Sequence, residues 1–458
     1  MSTQEKVTGL SAHRPVRLSP GQFGTRPPPS TPVSGTTVAE VLRPLVHVIL
    51  GNQPPVRVEF WDDSGLGPDG GPGSILVRSP DALRSLLWAP GELGLARAFI
   101  HGDLGFDGDI IAVLRAVRDA APQLGNLRIP LLRAIGAAQR VGAVGLPLAR
   151  PVEEASPRGL RHSKQRDAQV IRHHYDISND FYELVLGPSM TYSCAFFTET
   201  SKGLESAQVA KHDLVCRKLG LDQKTEMRLL DVGCGWGAMA IHAARAYGAH
   251  VVGITLSDAQ AELARRRVRD AGLEATVEIR VQDYRDLTGE QFDAVSSVGM
   301  FEHVGRSKMA TYFESLHQLL APTGRLLNHA ISSIGGSRLG GRSFIGRYVF
   351  PDGELLDVGE VVLAMEDAGF EVRDVESLRE HYVRTLRSWV DNLQASWEQA
   401  VALVGVRRAR VWLLYMAASA NGFDDGGISI HQVLGIRPGA HGESGMPATR
   451  KSWSQGIT

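Results

Sequence analysis

The sequence predicts an α/β protein whose larger domain is a doubly wound parallel sheet, preceded by a small α+β domain. Two observations support this fold class. First, apolar strand-like stretches alternate with helical ones over the second half of the chain, namely LLDVG, HVVGIT, TVEIRV, DAVSSVG and RLLNHAI. Second, the first of these strands runs into a glycine-rich turn, LLDVGCGWG at 229–237. Ligands of such sheets bind beyond the carboxyl ends of the strands, so this turn marks a candidate site.

Composition excludes several classes of protein. The 458 residues include 49 basic and 50 acidic side chains, a net charge of -1 that provides no global field for nucleic acid. The three cysteines, Cys194, Cys216 and Cys234, have neither metal-ligand nor disulfide-framework spacing. We find no secretory h-region and no apolar run long enough to span a bilayer. We therefore expect a cytoplasmic protein, soluble or peripheral, without a metal.

The chain is expected to contain five segments. Residues 1–40 are rich in Pro, Ser, Thr and Gly and predict a disordered arm. Residues 41–127 form the small α+β domain, because a helical pattern is followed by the strands VRVEFW and SILVRS and by a helix, turn, helix pattern. A basic apolar linker covers 128–163 and the catalytic domain covers 164–436. Within that domain a mobile cover is expected at about 332–385, and residues 437–458 predict a disordered tail.

The linker combines cations with apolar residues. No acidic residue occurs between Arg128 and Arg150, while Arg133 and Arg140 interrupt Ile, Leu, Val and Ala. A segment of this kind can lie on an anionic membrane surface. A linker helix packed on its own protein is the alternative, and both interpretations stay open.

The glycine turn and its flanks indicate which ligand binds. Gly233, Gly235 and Gly237 let the backbone approach a ligand closely. Asp231 is expected inside the loop, where a carboxylate suits a cationic ligand end better than the pyrophosphate of a nicotinamide cofactor. A helix over 238–247 and a second strand then lead to Gln260, which can hydrogen-bond a ribose. This layout favours S-adenosylmethionine over a dinucleotide or an ordinary tight turn.

Four further stretches resemble one family, the cyclopropane-fatty-acid synthases and mycolic-acid methyltransferases. They are HHYDISNDFYELVLGPSMTYSCAFF, GITLSDAQ, SVGMFEHVG and HYVRTLRSW. The resemblance implies a class I S-adenosylmethionine-dependent methyltransferase fold, in which the His173 to Asp176 stretch belongs to a helix near the cofactor. The implied cofactor-binding residues are Tyr192, Ser193, Asp231, Gly233, Cys234, Gly235, Gly237, Thr255, Leu256, Ser257, Gln260, Asp283 and Tyr284.

The resemblance also implies a second small ligand, a bicarbonate ion that acts as a base. The implied catalytic residues are Cys194, Gly299, Glu302, His329, Ile331 and Tyr382, with Glu302 and His329 just after the fourth and fifth strands. Four of these residues have a structural alternative. Cys194 can be a small buried hydrophobe or act through its backbone, and Glu302 can cap the following helix. His329 can be a core histidine with satisfied hydrogen bonds, and Tyr382 can be an ordinary packed phenol. His303 is interpreted as structural or supporting.

The resemblance implies methylation of a double bond in the acyl chain of a membrane phospholipid. The stretch LLWAPGELGLARAFIHGDL is similar to the branch making 10-methylene stearate, the precursor of tuberculostearic acid. We therefore expect methylation of an oleoyl chain to the 10-methylene product, by a homo-oligomer peripheral to the inner face of the cell membrane. A separate NADPH-type reductase would saturate the methylene. The alternatives are a cyclopropane synthase, a methyltransferase for a soluble acceptor and an inactive lipid-binding homologue.

Overall fold

The computed structural model describes residues 35–120, 131–155, 166–167, 178–333 and 343–454. Packing divides the chain into two compact units. Among the described residues, the first combines 35–80 with 102–120 and 131–143, and the second combines 81–101 with 144–155 and the described residues from 166 onward.

Strands and helices alternate along the described chain. The strands are β1 (Arg57–Glu59), β2 (Gly65–Leu66), β3 (Gly73–Val77), β4 (Leu104–Gly108), β5 (Arg228–Val232), β6 (His250–Thr255), β7 (Val277–Val281), β8 (Phe292–Val298), β9 (Leu320–Ser333), β10 (Leu356–Asp357), β11 (Glu371–Ser377) and β12 (Ile428–Ile436). The helices are α1 (Val38–Leu50), α2 (Asp81–Trp88), α3 (Glu92–His101), α4 (Ile110–Ala120), α5 (Leu131–Arg140), α6 (Asn179–Leu186), α7 (Leu204–Leu219), α8 (Ala238–Tyr247), α9 (Asp258–Asp270), α10 (Met309–Leu319), α11 (Phe344–Tyr348), α12 (Val358–Asp367), α13 (Arg379–Ala395), α14 (Trp397–Val404), α15 (Val406–Asp424) and α16 (Lys451–Ser454).

The first unit is a small sheet with helices. Its strands have the order β2-β1-β3-β4, with β1 parallel to β3 and antiparallel to β2. Helix α1 begins at Val38, inside the range 1–40 that we expected to lack order, because Thr37 and Glu40 form a capping box that satisfies the first N–H groups. Residues 1–34 of the expected arm lie outside the described residues.

The second unit is built on an eight-stranded sheet in which seven strands have the order β11-β12-β9-β8-β5-β6-β7 and the eighth, β10, pairs in parallel with β9. β5 pairs in parallel with both β6 and β8, and β12 is antiparallel to β9 and β11. Neighbouring residues of β5 face opposite sides, since Leu229 and Leu230 belong to two different apolar clusters. Apolar layers thus cover both faces, which is why the strands read as continuous apolar runs and why the doubly wound prediction succeeds.

The expected cover at 332–385 differs from the structure. Most of this range belongs to the sheet and its helices, because β11 pairs with β12 over its length and α12 packs against α10. Residues 334–342 lie outside the described residues, and the short helix α11 follows them.

The expected disordered tail also differs. Trp453 is 6% exposed and packs with Leu214 and Leu434 in an apolar cluster. Arg450 forms an ion pair of 2.6 Å with the buried carboxylate of Asp374. Burial of one large aromatic ring and this ion pair hold residues 437–454 on the second unit, whereas their polar composition alone predicted no order.

Helices α2 and α3 belong to the second unit rather than to the predicted domain at 41–127. α3 packs against α15, and Arg97 makes a two-pronged ion pair with Glu154, whose side chain is 4% exposed. Within the described residues, no helix is both long enough and apolar enough to cross a membrane.

Candidate active site

The turn after β5 has the backbone geometry that its glycines predict. Gly233 and Gly235 adopt left-handed φ angles of 78° and 53°. The backbone N–H groups of Gly233 and Cys234 both donate to the carbonyl of Ile254, each over 2.9 Å. This ties the turn to the end of β6 and leaves it at the carboxyl edge of the sheet.

A cavity of about 150 Å³ opens at this edge. It is lined by most of the predicted cofactor-binding residues, namely Tyr192, Ser193, Asp231, Gly233, Cys234, Gly235, Thr255, Leu256, Gln260, Asp283 and Tyr284, and also by Gly299. Two predicted residues do not line it: Gly237 is the N-cap of α8, and Ser257 caps α9 by accepting a hydrogen bond from Gln260 N. Their positions indicate that they shape the two helices beside the cavity.

Asp231 lies within β5 and not in the loop where the sequence suggested it, because strand pairing with β6 and β8 continues through this residue. Ser296 Oγ donates to its Oδ1 over 2.7 Å, while Oδ2 is buried without a hydrogen-bond partner in the described chain. Burial raises the pKa of Asp231 to about 6, against the opposing effects of the Ser296 hydrogen bond and the Lys211 charge. An unpartnered carboxylate oxygen lining a cavity is suited to a cationic group.

The other predicted polar contacts are partly satisfied within the protein. Gln260 Oε1 accepts a 2.8 Å hydrogen bond from Thr255 Oγ1. The Asp283 carboxylate binds the Arg285 guanidinium with both oxygens, over 2.8 and 2.6 Å. These bonds orient the two side chains at the cavity wall before any ligand arrives.

Lys211 is a cavity residue that the sequence did not single out. Its side chain is 1% exposed, and Nζ lies 3.1 Å from Ser193 Oγ. Burial lowers the pKa of Lys211 to about 8. The sequence did carry a signal, because Lys211 lies on the same face of α7 as the apolar residues Ala207, Ala210 and Leu214. These residues are buried, and a lysine is rarely buried without a specific partner.

Glu302 and Ile331 meet across the carboxyl edge of the sheet. The Ile331 N–H donates to Glu302 Oε1 over 2.7 Å, and Oε2 is buried without a partner in the described chain. Burial raises the pKa of Glu302 to about 7, opposed by the hydrogen bond from Ile331. Glu302 therefore does not cap the helix that follows it, because one oxygen is bonded to β9.

His329 lies within β9 rather than after it, because the strand continues to Ser333 through its pairing with β12. The ring is fully buried, and neither nitrogen has a hydrogen-bond partner among the described residues. Burial lowers the pKa of His329 to about 3, so the imidazole is neutral at pH 7. His329 is thus not a core histidine whose hydrogen bonds are satisfied within the described chain. Gly299 approaches the same residue, its N–H donating to the His329 carbonyl over 2.9 Å.

Cys194 and Tyr382 meet at the carbonyl of Leu378. That oxygen accepts a hydrogen bond from the Cys194 thiol over 3.6 Å and another from the Tyr382 N–H over 3.0 Å. The thiol also donates to the Ala195 carbonyl over 3.2 Å. Burial raises the pKa of Cys194 well above its usual range, so the side chain stays a thiol. Its chemistry favours a role through backbone and shape over that of a nucleophile.

Aromatic side chains cluster around Tyr192. We call this cluster the aromatic wall; it consists of Tyr182, Tyr192, Trp389, Trp412 and Tyr415. The Tyr192 ring lies 5.4 Å from Trp389, 5.7 Å from Trp412 and 5.9 Å from Tyr182. Its hydroxyl donates to Tyr415 over 3.1 Å. α6, α13 and α15 supply these rings, and the sequence analysis had singled out Tyr192 alone of them. Which faces of these three helices meet depends on tertiary packing, which no local sequence pattern specifies.

Two remaining histidine predictions have different outcomes. His303 lines the cavity and its ring packs edge-on against Phe350 at 5.8 Å, and its supporting role stays a prediction. The His173 to Asp176 stretch lies outside the described residues.

Comparison with known proteins identifies the family. The family model described as mycolic acid cyclopropane synthetase matches residues 162–433. This chain belongs to that family. It is 42% identical, over 86% of its length and 94% of the relative, to a "probable fatty acid methyltransferase" of Mycobacterium tuberculosis. It is 35% identical to the cyclopropane-fatty-acyl-phospholipid synthase of Escherichia coli K12, over 82% and 91% of the two chains. It is also 33% identical to a tuberculostearic acid methyltransferase of M. tuberculosis, over 84% and 88%.

A solved structure resembles more than half of this chain. The mycolic acid cyclopropane synthase CmaA1, complexed with SAH and CTAB, superimposes with a TM-score of 0.55 at 34% identity, covering 59% of this chain and 98% of that one. The predicted family, the class I methyltransferase fold and the S-adenosylmethionine-dependent C-methyltransferase class are confirmed. Family membership supports methylation or cyclopropanation of lipid acyl chains.

Proposed function

We propose that this methyltransferase transfers the methyl group of S-adenosylmethionine to the double bond of an oleoyl chain in a membrane phospholipid and releases the 10-methylene stearoyl product. The observation that carries the proposal is that Glu302 Oε2 and both ring nitrogens of the fully buried His329 are buried without hydrogen-bond partners in the described chain. Polar atoms are rarely left unpaired in an apolar interior unless a ligand completes them.

Asp231 is the proposed partner of the ammonium group of S-adenosylmethionine. Its Oδ2 has no partner in the described chain, and the buried Lys211, whose charge acts on Asp231, donates instead to Ser193 Oγ. The Gly233 to Gly235 backbone gives the ligand room, and Thr255, Gln260, Asp283 and Tyr284 are proposed to hold its nucleoside part. The ammonium cation of the ligand would pair with the Asp231 carboxylate, and the polar side chains would hydrogen-bond its ribose.

Bicarbonate is the proposed second ligand, and when bound it would supply the base that removes a proton from the carbocation. The described groups fit such an ion. A neutral His329 ring offers one N–H donor, Tyr382 offers a hydroxyl donor, and Glu302 Oε2 offers an acceptor for an O–H. With its pKa near 7, Glu302 can hold a proton in this shared hydrogen bond without a full buried charge.

The aromatic wall is proposed to stabilise positive charge during the reaction. Tyr192, Trp389 and Trp412 present rings close to one another between the cofactor side and Tyr382. A cation near such ring faces is stabilised by about 2 kcal/mol or more once water is excluded. This arrangement suits an alkene, which is a weak nucleophile and becomes cationic on methylation.

The reaction balances without an oxidant or reductant. The π electrons form a bond to the methyl carbon, the bond from sulfur to that carbon breaks, and S-adenosylhomocysteine leaves. A hydride shift from the methylated carbon to its neighbour moves the cation, and loss of one methyl proton then gives the exocyclic methylene. Loss of the same proton without the shift closes a cyclopropane. The 35% identity to a cyclopropane synthase keeps this second product as the alternative.

Peripheral membrane contact is proposed for the surface formed by α2 and residues 144–152. Leu146 and Val152 are 84% and 82% exposed, Trp88 is 57% exposed, and Arg150 is exposed as well. The Trp88 indole donates to the Gly145 carbonyl over 3.0 Å, which holds the two parts together. Exposed apolar side chains with a tryptophan and a cation suit the headgroup region of a bilayer. A separate NADPH-type reductase is proposed to saturate the product.

The test uses purified protein, S-adenosylmethionine and phospholipid vesicles in a buffer that contains bicarbonate. Vesicles of dioleoyl phosphatidylglycerol should yield fatty acids that have gained one carbon, and vesicles of the saturated distearoyl lipid should yield none. Methylation of the saturated lipid, or of neither lipid under conditions where S-adenosylmethionine binds, would refute the alkene assignment. Replacing both Leu146 and Val152 with serine should lower vesicle co-sedimentation, while Leu363→Ser, at an exposed leucine of α12, should not.

A further inference from the structure

Gln432 lies beside His329 in the sheet. The two residues are directly opposite each other in the antiparallel pairing of β12 with β9. Side chains opposite each other in such a pair point to the same face, with Cβ atoms about 5 Å apart. Both side chains are fully buried. The amide of Gln432 is therefore a near neighbour of the imidazole.

Neither side chain has a hydrogen-bond partner in the described part of the chain. The unpartnered atoms are both nitrogens of His329 and both Oε1 and Nε2 of Gln432. Gln208, another fully buried glutamine, instead donates from Nε2 to the carbonyls of Thr191 and Ser193. A buried amide that lacks even a backbone partner is unusual, and here it adjoins an imidazole with the same deficit.

The chemistry of the two groups is complementary. A neutral imidazole carries one donor and one acceptor nitrogen, and a carboxamide carries an acceptor oxygen and a donor nitrogen. Whichever group of the amide faces the ring, directly or through a bound water or oxyanion, therefore favours the tautomer that complements it. The titratable groups acting on His329 are Lys211, Lys218 and His431, all of which disfavour a proton on the ring. A neutral amide preserves that state, whereas a carboxylate in its place would favour the imidazolium.

We propose that Gln432 is a positioning residue for His329, which fixes the tautomer and orientation of the ring so that its N–H faces an oxyanion ligand. The inference rests on the proposed function for the role of His329 in the reaction. The positioning itself is a property of the protein that can be observed without turnover.

The test compares three variants of the full-length protein. Gln432→Met removes the amide and keeps the length of the side chain, and Gln432→Glu keeps the shape and adds a charge. Asn328→Leu is the matched control, since Asn328 is as buried, precedes His329 in the same strand and points to the opposite face. Thermal melting establishes that each variant folds. Ring nitrogen NMR of histidine-labelled protein, with the His329 signal assigned by its loss in His329→Gln, reports the tautomer.

We expect one neutral tautomer of His329 in the wild type and in Asn328→Leu. In Gln432→Met the signals should shift to a mixture of tautomers and kcat on oleoyl vesicles should fall at least tenfold, with the Kd for S-adenosylmethionine within twofold. In Gln432→Glu the ring should become protonated at a higher pH than in the wild type. Unchanged ring signals in Gln432→Met, or equal changes in Asn328→Leu, would overturn the proposal. Tautomer changes as expected in a protein that methylates no lipid would uphold the positioning and refute the proposed function.

Discussion

The backbone N–H of Ile331 holds Glu302 by one carboxylate oxygen, over 2.7 Å, and leaves the other oxygen buried without a partner in the described chain. This bond joins the segment after β8 to the fifth strand of the methyltransferase sheet, β9. It fixes a carboxylate in an apolar interior at the edge where such sheets bind their ligands. The arrangement gives Glu302 a raised pKa and a vacant acceptor, and both properties lead to measurable consequences.

Glu302→Gln should abolish turnover while leaving cofactor binding intact. The amide keeps the shape of the side chain, but it loses the charge and the basicity of the free oxygen. We expect kcat to fall by about 100-fold or more, the usual contribution of a group that handles a proton. The Kd for S-adenosylmethionine, measured by calorimetry, should change less than twofold. Glu314→Gln, on the exposed side of α10, is the control and should behave as the wild type.

The same residue should make stability depend on pH. The pKa of Glu302 is raised from the usual 4.5 to about 7 in the folded protein. Its contribution to stability is therefore complete below about pH 4.5 and is lost as the pH rises through 7. The total change is of the order of 3 kcal/mol, at about 1.4 kcal/mol for each unit of pKa difference.

Urea unfolding of the wild type and of Glu302→Gln at several pH values measures this effect. The difference in unfolding free energy between the two proteins should move in favour of the variant between pH 4.5 and 7. A constant difference over that interval would show that the carboxyl group of Glu302 titrates normally in the folded state.

Asp231 should make cofactor affinity depend on pH. Burial raises its pKa to about 6 in the protein without ligand, and the ionised form is the one that pairs with an ammonium group. Affinity for S-adenosylmethionine should therefore fall by up to about tenfold for each pH unit below 6. In Asp231→Asn the affinity should be lower at pH 7.5 and nearly independent of pH between 5 and 7.5. Binding by wild type that is equally tight at pH 5 and 7.5 would argue against the pairing.

Trp453 should contribute to the stability of the second unit. Its ring is 6% exposed in the cluster that includes Leu214, and Trp→Ala at a core position costs about 3 kcal/mol or more. Trp88→Ala is the control, since that side chain is 57% exposed, and should change stability by about 1 kcal/mol or less. Equal effects of the two substitutions in urea unfolding would mean that residues 437–454 do not pack as the structure shows.

Sequence patterns predicted best those elements whose own residues follow a regular pattern between clear boundaries. α8 was expected at 238–247 and is found there, because glycines flank an uninterrupted helical run. β11 was missed because it is an edge strand with a mostly exposed, charged sequence, and only pairing with β12 makes it part of the sheet. Among the site residues, Gln432 escaped notice because a polar residue in a strand is informative only once its burial is known, whereas Lys211 could have been noticed from its apolar neighbours on α7.

The glycine turn, with Asp231 and Gln260 beside it, could be singled out from the sequence pattern, whereas the other cofactor-binding residues were implied by the family resemblance. The aromatic wall was not, since α6, α13 and α15 are far apart in sequence and each ring also suits an ordinary core. The position of His329 within β9 likewise depends on how far the pairing with β12 extends, which no local pattern specifies.

The most direct test of the central claim is to identify the product formed from S-adenosylmethionine labelled with carbon-13 in its methyl group and vesicles of an oleoyl phospholipid. Released fatty acids are examined by mass spectrometry and carbon-13 NMR. The proposed function predicts a gain of one labelled carbon that appears as a vinylic methylene. A labelled cyclopropane carbon would contradict the 10-methylene assignment and make the enzyme a cyclopropane synthase, and no labelled lipid at all would contradict methylation of the oleoyl chain.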